Sequence, residues 1–172
     1  MKTPRRIVLM ITLLISSGVP ALGAWDGPTS SAKDRNAALA KVAAIHGAAG
    51  PFAVIGYRIG QRALVMLATP YGSFDLDVVH RTPLEVQYSC VADGVQAATG
   101  ASVGKLNLHI QEATVRQMET IVRNKATGQG VVFRITPEAM SRFLNLPHAR
   151  LEAAGRDVLD LSDDQLFSAT KR

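Results

Sequence analysis

From Phe74 to Ile135 the apolar residues of this chain recur in short runs at every second position, whereas before Phe74 they follow helical spacing and after Ile135 helix-capping signals appear. Met118 to Val122 and Val131 to Ile135 alternate on either side of a Lys125-Ala126-Thr127-Gly128-Gln129-Gly130 loop, which predicts a β-hairpin. Phe74 to Val79 and Leu106 to Gln111 alternate too, and Val86 to Ser89 reads as a further short strand. Ahead of them, Ala32 to Ile45 predicts a helix capped by Ser30 or Ser31. A Gly-rich break from His46 to Pro51 separates it from a second apolar helix over about Phe52 to Leu67. Gly56 and Gly60 share one face of that helix, and Arg58, Gln61 and Arg62 exclude a membrane span, so the glycines predict close packing on a neighbouring element. Cys90 to Ala98 returns to helical spacing and stops at Thr99-Gly100. Thr136-Pro137-Glu138 and the capping box Ser162-Asp163-Asp164-Gln165 predict a helical tail. Helices, then strands, then helices imply a single α+β domain, with helices packed on a mainly antiparallel sheet.

Residues 1 to 24 have a different character. A Lys/Arg start, an apolar stretch from Ile7 to Ile15, Gly18 and Pro20, and small residues through Ala24 form the three-part layout of a secretory signal peptide. The stretch is much shorter than the ~20 residues that span a bilayer. The expectation is a mature domain over residues 25–172, periplasmic or secreted, with no stable membrane span after cleavage. Of the 19 Lys and Arg residues, Lys2, Arg5 and Arg6 belong to this segment, so 16 basic residues face 14 acidic ones in the remaining 148 residues. A remainder at +2 argues against a nucleic-acid partner, which calls for a basic patch through the domain. The single cysteine excludes a disulfide framework and an all-cysteine metal cage. No Gly-x-Ser-x-Gly elbow, dinucleotide fingerprint or His-Glu-x-x-His helix is present, so no catalytic residue is assigned.

Two regions place reactive side chains beside glycines at predicted loop-to-helix junctions: His46 to Gly60, and Ser89 to Asn107. A cysteine at a helix start has its thiolate stabilised by free amide donors and the helix dipole, so Cys90 is placed to be reactive or to bind metal. The other reading is a packed small hydrophobe whose pKa burial raises. Asp93 and Gln96, three and six positions on, line the same side of the helix. Lys105 and Asn107, beside Gly100 and Gly104, suit an anion-binding loop that Arg58 and Arg62 could also face; a plain glycine-stabilised turn is the alternative. His80 and His148, next to Arg81 and Arg150, read as solvated loop side chains.

His46-Gly47, Gly50-Pro51, Gly56-Tyr57-Arg58 and Gly60 resemble the amino-terminal signature of the FmdE/FwdE-like family, named for the E-type subunit of formylmethanofuran dehydrogenase. Ser89-Cys90, Asp93-Gly94, Gln96, Thr99-Gly100, Gly104-Lys105 and Asn107 resemble its second block in order and spacing, and Thr82-Pro83 between them also fits. The resemblance covers roughly residues 36 to 112. It implies an α+β domain with a metal site at the His-Gly and Cys positions and, in archaeal relatives, association with formylmethanofuran oxidation. The chain departs from the family pattern at Ala48 and Ala101, where a second histidine and a second cysteine are usual, and at Leu106, where many relatives have glycine. It also lacks the cysteine-rich zinc module that ends some relatives. His46 and Cys90 remain as family-type ligands, with His109 and Asp93 as third and fourth candidates for zinc or another divalent transition metal. His46 and Cys90 are therefore expected to approach each other in the fold.

These readings predict an exported metal- or small-ligand-binding domain with a partly degenerate metal site, a homodimer being a further expectation. The alternatives are a non-catalytic structural or interaction module that has lost metal binding, and an accessory subunit of a one-carbon or redox enzyme.

Overall fold

The computed structural model describes residues 31–172, so residues 1–24, which the sequence reading assigns to a signal peptide, and nearly all of the leader lie outside the described residues. Helix α1, Ala32–His46, opens on a reciprocal cap: the Ser31 hydroxyl accepts the Asp34 amide at 3.2 Å, and the Asp34 carboxylate accepts from the Ser31 amide at 3.3 Å. Gly47, at φ 87°, ends it in the left-handed conformation. Helix α2, Pro51–Met66, starts with proline in its first turn, where the missing amide would have had no helical partner.

Five strands follow in chain order: β1 Leu76–Thr82, β2 Leu108–Glu112, β3 Glu119–Asn124, β4 Gly130–Ile135 and β5 Phe167–Lys171. They form one sheet in the order β2-β1-β3-β4-β5. All neighbours are antiparallel except β1 and β2, which pair in parallel from Val78↔Leu108 to Thr82↔Glu112. The hairpin β3–β4 forms as its alternation and Gly-containing loop predict.

The parallel pair corrects one expectation. Parallel strands need a crossover connection, which is usually helical. Val86–Ser89 is accordingly a helical turn (α3) and not a strand, with the Tyr88 and Ser89 amides donating to the Glu85 carbonyl at 3.0 Å each. It runs into α4, Val91–Thr99, which completes the crossover. The start of β2 also shifts. Leu106 sits in the left-handed region at φ 54°, so regular pairing begins at Leu108.

The tail is corrected as well. Thr136 caps α5, Pro137–Phe143, and Ser162 and Gln165 form the expected capping box of α7, Asp163–Leu166. Between them α6 spans Leu151–Val158. After one turn of α7, however, the chain extends into β5. Phe167 is buried, pairs with Ile135 and meets Phe133 edge to face at 5.6 Å between ring centres, a contact that only the folded sheet provides.

The inward face of the sheet carries Leu76, Val78, Val122, Val131 and Phe133, which share one core cluster with Val54, Ile55 and Ile59 of α2 and Val91 and Val95 of α4. Helices α2 and α4 touch through their backbones. A β-carbon on Gly56 would lie 2.0 Å from the Val91 carbonyl oxygen, one on Gly94 would lie 1.8 Å from that of Ala53, and one on Gly60 would lie 2.6 Å from the Ala98 β-carbon. The small-residue face of α2 does pack closely, as predicted, and α4 is its neighbour. Among the described residues no single helix is long and apolar enough to cross a membrane.

Candidate functional site

The backbone contact of α2 with α4 brings the two sequence blocks together. Cys90 ends α3, caps α4 and is buried. One turn into α4, the Asp93 carboxylate meets His46 Nδ1 of α1 at 2.8 Å. Asp93 also acts electrostatically on Cys90, so His46, Asp93 and Cys90 belong to one neighbourhood.

That neighbourhood contains both features the sequence offered for Cys90. The amides of Cys90 itself and of Ala53, in the first turn of α2, favour the thiolate. Burial and the charge of Asp93 oppose them and prevail, pushing the thiol up to about 12. Its Sγ donates to the Gln87 carbonyl at 3.5 Å. Cys90 is therefore a protonated, packed thiol.

Beneath α3, His80 is buried in β1 and is not the solvated loop side chain read from its neighbours. Its Nε2 donates to the Tyr88 carbonyl at 3.2 Å, and its Nδ1 lies at hydrogen-bond distance, 2.9 Å, from the Thr120 hydroxyl. Burial accordingly lowers its pKa to about 4. His148 is exposed.

The remaining sequence candidates separate. His109 stands opposite Val79 in β2, on the sheet face away from Val78 and Leu108, where its Nε2 lies 3.5 Å from the Asp77 carboxylate. The sheet divides it from Cys90 and His46, so these three do not converge. Among the described residues no group of three or more His, Cys, Asp or Glu side chains is placed to hold a metal ion. The donor set present does not fit a tight tetrahedral site, in keeping with Ala48 and Ala101 in place of family-type ligands.

Lys105 does not present its charge to an anion loop. Its Nζ donates to the carbonyls of Gly72 at 3.1 Å and Gly100 at 3.0 Å and lies 5.0 Å from the Phe74 ring centre, fastening two turns together. Asn107 is buried beside it and accepts the Ser102 amide at 3.0 Å. Arg58 is 1% exposed, donates to the carbonyls of Val158 at 3.3 Å and Leu161 at 3.0 Å and pairs with Asp163 at 2.6 Å. It joins α2 to the segment from α6 to α7. These three make structural ties in this fold.

Gln96 has a different setting. With Lys41 and Ile45 of α1, Tyr57, Gln61, Leu64 and Val65 of α2, and Tyr71 of the following loop, it lines an open cleft of about 880 Å³. A cleft of that size lies within the range of small-molecule sites. Its walls are mainly apolar, and among the described residues its lining includes no carboxylate. Tyr57 is 5% exposed, and its hydroxyl has no hydrogen-bond partner among the described residues. Burial and neighbouring Tyr71 raise its pKa, so the phenol remains a donor. Lys41 is exposed and makes no ion pair among the described residues.

Sequence reasoning missed Lys41, Tyr57, Gln61 and Tyr71 as site residues. Tyr57, Gln61 and Leu64 do recur at i, i+4 and i+7, but that spacing describes a buried helix face equally well.

Fold and cleft together define a single α+β domain whose helical layer opens a small-molecule-sized cleft between α1, α2 and the C-terminal end of α4. The profile described as "FmdE, Molybdenum formylmethanofuran dehydrogenase operon" matches residues 45–168, and the chain belongs to this family. Among solved structures it is similar to an FmdE-like protein of the tungsten formylmethanofuran dehydrogenase type from Syntrophus aciditrophicus. The two share 21% identity over 80% of this chain and 71% of that one, with a TM-score of 0.57, a likeness of fold. No curated protein matches the chain.

Proposed function

We propose that this chain is an exported small-ligand-binding domain of the FmdE family in which the family-type metal site is partly degenerate. The observation that carries the reading is the cleft between α1, α2 and α4, where a nearly buried phenol has no protein partner among the described residues. The Tyr57 hydroxyl opens onto this cleft, where it can donate to a ligand. Metal binding is the less supported branch, because Cys90 is held protonated and His109 lies across the sheet. The layout of residues 1–24 supports export. A buried thiol with a raised pKa is also a cysteine that tolerates an oxidising compartment unpaired.

The test is to purify the protein from the envelope of a bacterial host and to measure its native mass, its metal content and its thermal shift with a library of small acids, amines and neutral amphiphiles. The expected result is a chain starting near Trp25, metal far below one equivalent, and stabilisation by a subset of the library. One equivalent of metal that Cys90→Ser removes would establish a metal centre instead. Retention of residues 1–24 in the mass overturns export. Absence of any stabilising compound leaves the non-catalytic interaction module as the better account.

A further inference from the structure

We infer that the cleft takes a small amphipathic anion, with its acid group at Lys41, its apolar body along Ile45, Leu64 and Val65, and the Tyr57 hydroxyl as a donor on the cleft wall. The inference rests on the reading of this domain as a small-ligand binder and names the ligand's chemical class. Three observations carry it. Among the described residues the only formal charge lining the cleft is the Lys41 ammonium, and that ammonium makes no ion pair with them. A cation with no acidic neighbour at the mouth of an apolar cleft attracts an anion and repels an amine. The Tyr57 hydroxyl opens onto the cleft and makes no hydrogen bond among the described residues, so a ligand that covers it is favoured when it brings an acceptor. The apolar wall is likewise open on the cleft side: Ile45 is 44% and Val65 48% exposed, although both belong to helices whose other faces are core.

Gln61 and Gln96 sharpen the class. Both line the cleft as neutral amides, and Gln61 donates only weakly, at 3.4 Å, to the Ala98 carbonyl. Carboxamides accept and donate without adding charge, so they suit a carbonyl, ether or ring heteroatom in the ligand body. A cleft of about 880 Å³ holds a body of one or two fused rings or a medium acyl chain. With one ammonium available, a monoanion matches better than a di- or trianion, which excludes nucleotide phosphates as the favoured class.

Fluorescence titration with a matched pair of probes tests this on the mature protein. The probes are 8-anilinonaphthalene-1-sulfonate and N-phenyl-1-naphthylamine, which have nearly the same apolar body with and without the acid. The expected result is one sulfonate bound per chain, about tenfold more tightly than the neutral amine. Lys41→Gln should weaken the sulfonate about fivefold or more and move the neutral probe less than about twofold, while Lys41→Arg restores most of the loss. Val65→Glu, at an exposed wall position, should reduce sulfonate binding further, and Lys171→Gln on β5 should change neither probe. Equal affinity for both probes, or indifference of the sulfonate to Lys41→Gln, overturns the anion class and leaves a neutral-ligand cleft standing. Sulfonate bound in several copies, or unaffected by Val65→Glu, places binding outside the cleft and overturns the inference. Binding of neither probe, with no compound stabilising the fold, removes the ligand-binding reading as a whole.

Discussion

The two ends of α4 differ in a way that motif residues alone do not reveal. At its start, Cys90, Asp93 and His46 occupy the positions that carry the family resemblance, yet the thiol is packed and protonated, and Asp93 and His46 pair with each other. Towards its other end, Gln96 joins Tyr57, Lys41 and Gln61 on a surface where polar groups remain unmatched and apolar wall remains exposed. On the reading proposed above, an incomplete set of interactions marks a site better than a reactive residue type does.

The largest effect should come from the contact that creates both ends. Gly94→Val puts a β-carbon where the Ala53 carbonyl oxygen is 1.8 Å away, so α2 and α4 must part. The expected loss is about 4 kcal/mol or more, a fall in Tm on the order of 10 °C by calorimetry. A fall under about 2 °C would mean that the helices do not touch there.

Next is the histidine beneath the closed end. His80 has its pKa lowered from 6.5 to about 4 in the folded state, so the unfolded chain takes up its proton first as pH falls. The corresponding stability is complete above pH 6.5 and is lost progressively toward pH 4, about 3 kcal/mol over that window. Urea denaturation at a series of pH values reads the slope, and His80→Gln should flatten it. Equal slopes in both proteins would show that His80 is not held neutral.

Cys90 tests the closed end directly. With its thiol pushed up to about 12, alkylation by iodoacetamide at pH 8 should be at least about a hundredfold slower in the folded protein than in urea. Zinc or nickel should not alter that rate. Because the folded pKa lies above the ordinary 9.0, stability from this group is complete below pH 9 and declines as pH rises toward 12. Fast alkylation at pH 8 that zinc suppresses would reverse the comparison and make this end the active one.

The smallest effect belongs to the pair that looks most like a functional dyad. His46 and Asp93 are 23% and 42% exposed at the side chain, so His46→Ala should change stability by less than about 1 kcal/mol in urea denaturation and leave the cleft's probe affinity unchanged. A large loss of probe binding would join the two ends into a single site.

Much of this molecule follows from local rules that act over a few residues. Ser31, Thr136 and Ser162 cap helices wherever they fall, the Lys125–Gly130 loop closes its hairpin, and Gly56 with Gly60 marks a face that packs closely. The α+β class and the two family blocks were readable on the same terms. Long-range pairing decided the rest. Val86–Ser89 is helical because β1 and β2 run parallel, and Phe167–Lys171 is a strand because β4 offers an open edge and Phe133 a ring to meet. His80 turned from a loop histidine into a buried neutral one because the elements packed over β1 take it out of water, while Tyr88 and Thr120 supply partners for its ring nitrogens. Lys105, Asn107 and Arg58 look available in one dimension and are occupied in three, since the carbonyls of Gly72, Ser73 and Val158, all distant in the chain, come to face Lys105, Asn107 and Arg58 respectively. The cleft has no sequence signature at all. It exists because α1, α2 and α4 meet at an angle that leaves space between them, and a gap between helices is a property of their packing and not of any one stretch of chain.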